Sequence, residues 1–413
     1  MTVSEKTHES ERTANLTPAR RRTVRRHRRP RRTRVNTAFA AGLAMLFFFG
    51  PNAVRLFGAH AAPIENRPLR PFPSPSAGWR FLPRLDDWAV DHLPLRDAAV
   101  RANGWVSEHV FRELSTRDAG SQEVLAGRDG WLFFKDDMRL RCSPAQPLDA
   151  TLAQLDRLAD LVTGLGHQFV VVVPPDKSAI EAGMLPASYP GRSCSVAANH
   201  AFWSRINGAP PVGYVDAYGP IAQVARQQGH AYYPTDTHWS PTAVAAYTRA
   251  LVSRLDPGLL ASTKFTTSGS QLKTTDLTKM IGMPKTEREP AVQVRRGGVT
   301  VHRVSETIAG YPAAHSTATT AGAPLFTPKT LILGDSFTEQ SMETLAPFFA
   351  DLTYANWNLA DTDPGTAARL IRDSPVVVVE VVQREFEGGA SPLLVAPMLD
   401  AVAAQLPTPA AHP

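Results

Sequence analysis

"TLILGDSFTEQ" (Thr330–Gln340) combines a strand, a turn and the start of a helix. The apolar residues Leu331–Leu333 end the strand, and Gly334 allows a sharp turn, so Ser336 is expected at the carboxyl end of a sheet strand. Ligands bind at this edge in open α/β sheets, and the N–H groups of a helix start can stabilise an oxyanion. Ser336 is therefore a candidate nucleophile. The alternative is that Asp335 and Ser336 only cap the helix.

The alternation of strands and helices extends on both sides of this stretch. "HQFVVVVPP" and "PVVVVEVV" are nearly continuous apolar runs, whereas "ATLAQLDRLADLVTGLG" has helical spacing and Pro241 opens the helix "PTAVAAYTRALVSRL". Such strands are buried on both faces. The pattern predicts an α/β fold with a parallel sheet and helices on both faces.

Residues 257–327 depart from this alternation. They are rich in Thr, Ser, Gly and Ala and have few apolar runs. We predict a polar insertion of loops with one short strand pair in "AVQVRRGGVTVHRV", where "RRGG" suits a turn.

The net charge of +6 comes from the N-terminus. Residues 1–34 hold 12 of the 44 Lys and Arg but 3 of the 38 Asp and Glu, which leaves 32 basic and 35 acidic side chains in the remainder. A nucleic-acid function is not expected, because the folded part has no basic surplus to follow a phosphate backbone.

The basic block leads into "VNTAFAAGLAMLFFFGPNAV" (Val35–Val54), an uncharged run of about the ~20 residues that span a bilayer. Arginines before it favour a cytoplasmic N-terminus. We predict a basic cytoplasmic tail at 1–34, a single transmembrane helix at 35–57, a Pro-rich spacer at 58–84 and a domain at 85–407 outside the cytoplasm at the cell membrane. A cleaved signal peptide is the alternative.

The two cysteines suit that compartment. Outside the cytoplasm Cys142 and Cys194 can persist as a disulfide. A two-thiol metal site is the alternative, but the spacing is not C-x-x-C.

A second polar stretch, "TDTHWS", offers what a nucleophilic serine needs. A serine hydroxyl requires a base to remove its proton, and the base requires an orienting carboxylate. Asp236 and His238 are two apart in a segment read as extended, so their side chains point the same way. We predict Ser336 as nucleophile, His238 as base and Asp236 as orienting acid.

Simpler interpretations of these residues exist. Asp236 would cap the following helix and His238 would be a satisfied surface residue, or the two would bind zinc. No third and fourth metal ligands occur at characteristic spacing, so we predict neither a metal ion nor a cofactor.

"GDSF" resembles the first block of SGNH hydrolases, and "DTHWS" upstream of it is similar to the permuted order of alginate O-acetyltransferases of the AlgJ/AlgX type, which share a D-x-H-W element. The resemblance extends, in the family's order and over roughly residues 64–390, to "ENRPLRPFP", "HLPLRD", "GRDGWLFF", "VVVPPDKSAI", "DLTKMIGMP" and "VVVVEVVQREF". It implies an SGNH hydrolase-like acyltransferase domain with Ser336, His238 and Asp236 in the roles given above.

The resemblance also implies a substrate and a partner. The expected acceptor is a hydroxyl of a cell-envelope or exported polysaccharide, and the expected acetyl donor is delivered by a membrane-bound O-acyltransferase. Two alternatives stay open. One is a carbohydrate esterase of the same fold, and the other is a non-catalytic envelope scaffold, against which the intact Ser, His and Asp count.

Further site candidates rest on position alone. For the oxyanion or the substrate they are Asn356, Asn358, Arg384, Trp239, Asp176 and Lys177. For Asp176 and Lys177 we favour a turn with a solvated charge pair. Core packing is an equal alternative to a sugar contact for Trp239, and packing is the favoured role of Trp131.

Overall fold

The computed structural model describes residues 123–404 continuously, the segment 81–93, and isolated positions at 41, 42, 45, 53, 69, 70, 72, 73, 98, 99 and 102. The chain divides into two units, 1–58 and 59–413, and the fold described below belongs to the second.

The predicted N-terminal segments fall largely outside these residues. The tail at 1–34 is not described, and of the predicted transmembrane helix at 35–57 only positions 41, 42, 45 and 53 are. Within the described part of the chain, no helix combines the length and apolar character needed to cross a membrane. A helix begins at Phe81, inside the predicted spacer at 58–84.

The described strands form one seven-stranded sheet and two two-stranded sheets. The strands are β1 (Val124–Ala126), β2 (Leu132–Phe134), β3 (Gln168–Val172), β4 (Tyr214–Val215), β5 (Thr263–Thr274), β6 (Thr286–Arg296), β7 (Val299–Ile308), β8 (Tyr311–Thr320), β9 (Thr330–Gly334), β10 (Asp351–Asn356) and β11 (Val376–Glu380).

The α-helices pack mainly around the large sheet. They are α1 (Phe81–Asp91), α2 (Asp136–Cys142), α3 (Leu148–Gly164), α4 (Lys177–Ile180), α5 (Arg192–Gly208), α6 (Tyr218–Gln228), α7 (Pro241–Leu255), α8 (Gly258–Ala261), α9 (Asp276–Met280), α10 (Ser336–Leu345), α11 (Leu359–Thr362), α12 (Pro364–Arg372), α13 (Gln383–Glu387) and α14 (Ala396–Ala403).

The large sheet has the strand order β4-β3-β11-β9-β10-β8-β7. Its first five strands run parallel to one another, whereas β8 pairs antiparallel with β10, and β7 pairs antiparallel with β8. The predicted parallel sheet is confirmed for those five strands, and the whole sheet is mixed.

Helices cover both faces of the sheet, as predicted. Alternate residues of β3 enter two separate cores: Val170 and Val172 pack with α6, α7 and α10, whereas Phe169 and Val171 pack with α3, α5, α12 and α14. Burying each such valine side chain stabilises the fold by about 1.5–3 kcal/mol. The nearly continuous apolar runs in the sequence reflect this burial on both faces.

The prediction of a loop-rich insertion at 257–327 is wrong in its structure. This region holds four long strands, β5 to β8. Gly297 and Gly298 do form a turn, but the strands on either side of it, β6 and β7, do not pair with each other. Instead, β6 pairs with β5, and β7 pairs with β8 across a different turn. Threonine and valine favour strands, but β5 and β7 are largely exposed and therefore lack the apolar run by which a buried strand is recognised.

Candidate active site

Ser336 is the first residue of α10 and is separated from the end of β9 by Asp335 alone. The preceding Asp335 is the N-cap, since its Oδ1 accepts a hydrogen bond from the N–H of Phe337 at 2.8 Å. Its Oδ2 accepts from the N–H of Val382 at 3.2 Å, beyond the end of β11. Asp335 therefore does the capping, and the partly exposed Ser336 hydroxyl is left for another partner.

The loop that faces Ser336 is closed by a β-bridge. Tyr232 pairs with Trp239 in an antiparallel bridge, and the N–H of Ser240 donates to the carbonyl of Ala231 at 2.7 Å. Ser240 also caps α7, which begins at Pro241 as expected. The bridge and the helix fix both ends of the segment that carries the predicted acid and base.

The structure brings the three predicted catalytic residues together. His238 Nε2 lies 2.8 Å from Ser336 Oγ, and His238 Nδ1 lies 2.7 Å from Asp236 Oδ1. Asp236 is 1% exposed and His238 is 3% exposed. A hydroxyl, an imidazole and a carboxylate in this order form a path along which a proton can leave the hydroxyl.

The carboxylate of Asp236 is charged. Burial alone would raise the pKa of Asp236, but His238, Lys273 and the backbone N–H of His238 hold that pKa well below its usual range. Lys273 Nζ lies 3.0 Å from Asp236 Oδ1, and the His238 N–H donates to the same oxygen at 2.9 Å. A charged carboxylate at this position can stabilise a protonated imidazole.

A second buried carboxylate, Asp276 at the start of α9, lies beside this pair and is absent from the sequence-based predictions. Its Oδ2 lies 3.4 Å from His238 Nδ1, and its Oδ1 accepts from the N–H of Thr237 at 2.8 Å. Its own N–H donates to Asp236 Oδ2 at 2.9 Å. The signal available in the sequence was "DLTKMIGMP", one of the segments that resemble the family.

Asp236, His238 and Asp276 also form the one described group of acids and histidines that is compact enough to hold a metal ion, with ligand atoms within 4.8 Å of one another. The Lys273 ammonium already provides a cation at Asp236 Oδ1, and both imidazole nitrogens have hydrogen-bond partners. The arrangement therefore favours proton transfer over metal binding.

Glu380 lies under the turn that carries Ser336. Its Oε2 accepts from the N–H of Asp335 at 3.0 Å and from Thr338 Oγ1 at 2.7 Å. Burial and the neighbouring Asp335 raise the pKa of Glu380 well above its ordinary value. A carboxyl group thus fixes the turn at Asp335 and Thr338.

Asp176 and Lys177 are buried, with exposures of 0% and 1%. Asp176 accepts from Arg141 at 2.9 Å and from Arg384 at 3.2 Å, whereas Lys177 donates to backbone carbonyls. The solvated charge pair is wrong, because each charge has its own partners inside the fold. Neither side chain presents a surface to a substrate.

Arg384 belongs to the same buried ionic cluster and lies 3.5 Å from Asp137. Burial alone would lower the pKa of Arg384, but Asp137 and Asp176 raise it, while burial and Asp176 raise the pKa of Asp137 to about 7. The guanidinium lies 5.7 Å from the ring centre of Phe337. The hydrogen bonds of Arg384 thus go to the acids of this cluster.

The tryptophans belong to the core. Trp239 is 1% exposed and packs on Tyr247 and Phe337 with ring centres 4.8 and 5.0 Å away, and Trp131 is 8% exposed. Core packing is therefore the role of Trp239, and the sugar contact predicted as its alternative is wrong because no face of the indole is free.

The two asparagines lie at the sheet edge. Asn356 ends β10 in register with Gly334, and its Oδ1 accepts from the N–H and from Nδ2 of Asn358, both at 3.0 Å. Both side chains are partly exposed. Asn356 is thus placed one strand away from the turn that carries Ser336, and its role at an oxyanion stays a prediction.

The predicted disulfide is confirmed. Cys142 at the end of α2 and Cys194 in α5 are bonded, with Cα atoms 5.9 Å apart. The bond joins two helices that lie at opposite ends of the segment containing β3 and α4.

The chain is similar in sequence to known proteins. Residues 124–357, more than half of the chain, match the family described as an SGNH hydrolase-like domain, acetyltransferase AlgX. A probable alginate O-acetylase AlgJ of Pseudomonas putida is 28% identical over 134 residues, which are 32% of this chain and 34% of the relative. The match thus spans about a third of that curated relative.

Three solved structures have a similar chain path. The O-acetyltransferase domain of Pseudomonas putida AlgJ has 18% identity and a TM-score of 0.45, covering 68% of this chain and 98% of that one. Bacillus cereus PatB1 with a sulfonyl adduct has 12% identity and a TM-score of 0.43, covering 67% and 98%. Pseudomonas aeruginosa AlgX has 13% identity and a TM-score of 0.41, covering 68% and 66%.

Proposed function

Since the chain belongs to the family of SGNH hydrolase-like acetyltransferase domains of the AlgX type, we propose that it moves an acetyl group through an ester on Ser336 to a hydroxyl of a polysaccharide. The observation that carries this proposal is the hydrogen-bonded path from Ser336 Oγ through His238 to Asp236, with distances of 2.8 and 2.7 Å.

In the first half of the reaction Ser336 Oγ attacks the acetyl carbonyl carbon of the donor. His238 Nε2 takes the hydroxyl proton, and Asp236 stabilises the imidazolium through Nδ1. The tetrahedral intermediate then expels the donor's oxygen, which receives that proton from His238. The acetyl group is left as an ester on Ser336.

In the second half the acceptor hydroxyl enters in place of the donor's leaving group. His238 takes its proton, the acceptor oxygen attacks the ester carbonyl, and Ser336 leaves and regains the proton. The donor ester and the acceptor ester are of similar energy. Transfer rather than hydrolysis therefore requires that the acceptor hydroxyl reach the ester on Ser336 before water does.

The oxyanion formed in both halves needs N–H donors near Ser336 Oγ. We assign this role to the first turn of α10, apart from the Phe337 N–H that Asp335 holds, together with the side chain of Asn356. The in-register placement of Asn356 beside Gly334 supports the assignment.

The name of the relative suggests an acceptor to test, and the location of the acceptor suggests a donor. The curated relative is named for alginate, so alginate is the first acceptor to test, with other exported or envelope polysaccharides after it. We propose that a membrane-bound O-acyltransferase delivers the acetyl donor, because a polysaccharide outside the cytoplasm has no direct access to cytoplasmic acetyl thioesters.

We further propose that a single helix at residues 35–57 anchors the chain in the cell membrane with its domain outside the cytoplasm. The basic block before an uncharged run supports this orientation. A reporter that is active only outside the cytoplasm, fused after Pro63, tests it. An active fusion is expected, and a fusion that is produced in full but inactive would contradict the proposed location.

The reaction itself is tested with the full chain and an acetyl-ester reporter. Mass analysis of the intact protein should detect one acetyl group on Ser336, and added de-acetylated alginate should increase the rate of deacylation and gain acetyl esters. Ser336→Ala is the control: this variant should not become acetylated, and alginate added to it should gain no acetyl esters. Release of free acetate alone, at a rate that no polysaccharide changes, would favour the esterase; a chain that is never acetylated would favour the scaffold.

A further inference from the structure

Lys177 is a buried cation that the proposed reaction does not use. It is the first residue of α4, directly after the strand segment "VVVVPPD", and it is one of the largest fully buried side chains at 1% exposure. Burying an ammonium group costs free energy unless its N–H groups are satisfied. The groups that accept hydrogen bonds from the ammonium therefore indicate the role of Lys177.

All three N–H groups of the ammonium have acceptors, and all three acceptors are backbone carbonyls. Nζ lies 2.6 Å from the carbonyl oxygen of Leu132, 2.7 Å from that of Pro234 and 3.0 Å from that of Asp236. The rings of Trp131 and Phe133 lie 5.0 and 5.1 Å from Nζ and enclose it. An ammonium has three donors and no acceptor, so these three carbonyls satisfy its whole hydrogen-bonding capacity.

Two of these carbonyls belong to the loop that carries Asp236 and His238. Leu132, in β2, donates its own N–H to the Pro234 carbonyl at 2.9 Å. The lysine and this bond together join the loop to β2 on one side and to α4 on the other. Lys177 thus holds the backbone carbonyl of Asp236, the residue whose side chain orients His238.

The N–H groups of the same loop are held by acids from a different part of the fold. Glu287 of β6 accepts from the N–H of Thr235 at 2.8 Å, and Asp276 of α9 accepts from the N–H of Thr237 at 2.8 Å. The loop is thus fixed by carboxylates at its N–H groups and by one ammonium at its carbonyls. Lys177 is the cation in that arrangement.

We propose that Lys177 is a positioning residue for acyl transfer: its buried ammonium fixes the backbone at Pro234 and Asp236, so that the Asp236 carboxylate and the His238 imidazole are aligned with Ser336 before substrate binds. This inference rests on the proposed acyl-transfer function. Lys177 touches neither substrate nor the reacting atoms, and it acts through the loop alone.

The proposal predicts a loss in the chemical step and little change in substrate affinity. In the full chain, Lys177→Met keeps the length and apolar stem of the side chain but removes the three donors. We expect kcat for an acetyl-ester reporter, and the rate at which a sulfonyl fluoride labels Ser336, to fall together by about tenfold or more, with KM changed by less than about twofold. The exposed Lys264→Met on β5 is the matched control and should match the wild type.

The readouts separate a positioning role from a merely structural one. Both rates are measured well below the melting temperature of each variant and per folded molecule, so lost stability alone does not lower them. A folded Lys177→Met protein whose Ser336 is labelled at the wild-type rate would overturn the inference and leave the proposed function intact. A wild-type chain that takes no label on Ser336 would sink the proposed function, and the inference with it.

If Lys177→Met does not fold, the pH profile of the wild type decides. Burial lowers the pKa of Lys177 to about 8. Four acids oppose this shift: Asp276 of α9, Asp236 of the loop, Asp137 of α2 and Glu287 of β6. Above that pH the neutral amine has two donors for three carbonyls, so the labelling rate should fall by about threefold. A labelling rate that stays level from neutral pH to well above the pKa would overturn the inference.

Discussion

The ammonium of Lys273 lies 3.0 Å from Asp236 Oδ1, the oxygen that also accepts the His238 imidazole N–H. Lys273 comes from β5, in the region that the sequence marks as a polar insertion, and it also donates to Gln340 of α10 at 2.9 Å. Its ammonium lies 4.7 Å from the ring centre of Tyr233. The β5–β6 hairpin therefore takes part in the site, because one of its side chains links the loop of the acid and the base to the helix of the nucleophile.

Lys273→Met should slow the reaction without abolishing it. The variant removes a cation that keeps Asp236 charged, but Lys273 is 21% exposed and its charge is partly screened, so we expect kcat to fall about three- to tenfold. Steady-state turnover of an acetyl-ester reporter measures this, with Lys264→Met as the control for loss of a lysine from the same strand. An unchanged kcat would show that the imidazole and backbone N–H groups suffice to hold Asp236 in place.

The two carboxylates near His238 Nδ1 should differ in importance. Asp236 lies 2.7 Å from Nδ1 and Asp276 lies 3.4 Å from it. Asp236→Asn removes the charge that stabilises the imidazolium and should lower kcat by about 10³–10⁴-fold. Asp276→Asn keeps an oxygen for the Thr237 N–H and removes the more distant charge, so a loss of about tenfold is expected.

The comparison uses kcat per active site, counted by sulfonyl fluoride labelling where label still forms. Equal losses in the two variants would contradict the assignment of Asp236 as the principal orienting acid. A larger loss in Asp276→Asn would exchange the two roles.

The central strands of the sheet could be predicted because local signals identify them, although their order could not. The valine runs in β3 and β11 are buried on both faces, and burial of that kind leaves a continuous apolar run that can be seen in one segment alone. The strands β5 to β8 could not be recognised in this way. Their residues are largely polar and exposed, so their length depends on pairing with each other, which no single segment reveals.

The same distinction separates the predicted from the missed site residues. Ser336 lies just beyond a predicted strand end, and Asp236 and His238 could be assigned to it because a serine nucleophile needs a base and an orienting acid. Lys273 and Asp276 approach the loop only because the β5–β6 hairpin and α9 fold over it. Lys177 and Asp176 were expected in solvent, because "PPDKS" has the composition of a turn and the groups that bury it are distant in sequence.

Gly334→Ala should disable the nucleophile. A Cβ at Gly334 would collide with Thr338 Oγ1 and would lie 2.9 Å from Glu380 Oε2, so the turn before Ser336 would have to shift. A shift of about 1 Å at a nucleophile can cost roughly 10²-fold in rate. Gly164→Ala is the matched control: no atom lies within 4 Å of its Cβ position at the end of α3, so activity should be unchanged. Equal activity in the two variants, measured with the ester reporter, would mean that the turn relaxes without moving Ser336.

Asp335 and Glu380 are buried acids at the turn that carries Ser336. Glu380 is 0% exposed, and its Oε2 accepts from the Asp335 N–H and from Thr338. Burial is the main cause that raises its pKa, and Asp335 is the next. A raised pKa means that the folded protein keeps a proton that the unfolded chain releases once the pH passes about 4.5. The folded state therefore loses stability relative to the unfolded state as the pH rises through this window.

Glu380→Gln should remove that loss, because a glutamine is neutral at every pH and its oxygen can still accept from Asp335 and Thr338. The variant should be close to the wild type at about pH 5 and should become more stable than it toward pH 8, by about 1.4 kcal/mol for each pH unit over which only the unfolded glutamate is ionised. Melting temperatures of both proteins across this range measure the difference, with the exposed Glu343→Gln on α10 as a control for the loss of one charge. A gap between variant and wild type that stays constant with pH, or that closes as the pH rises, would show that Glu380 is ionised in the folded protein and that a charged carboxylate holds the turn under Ser336.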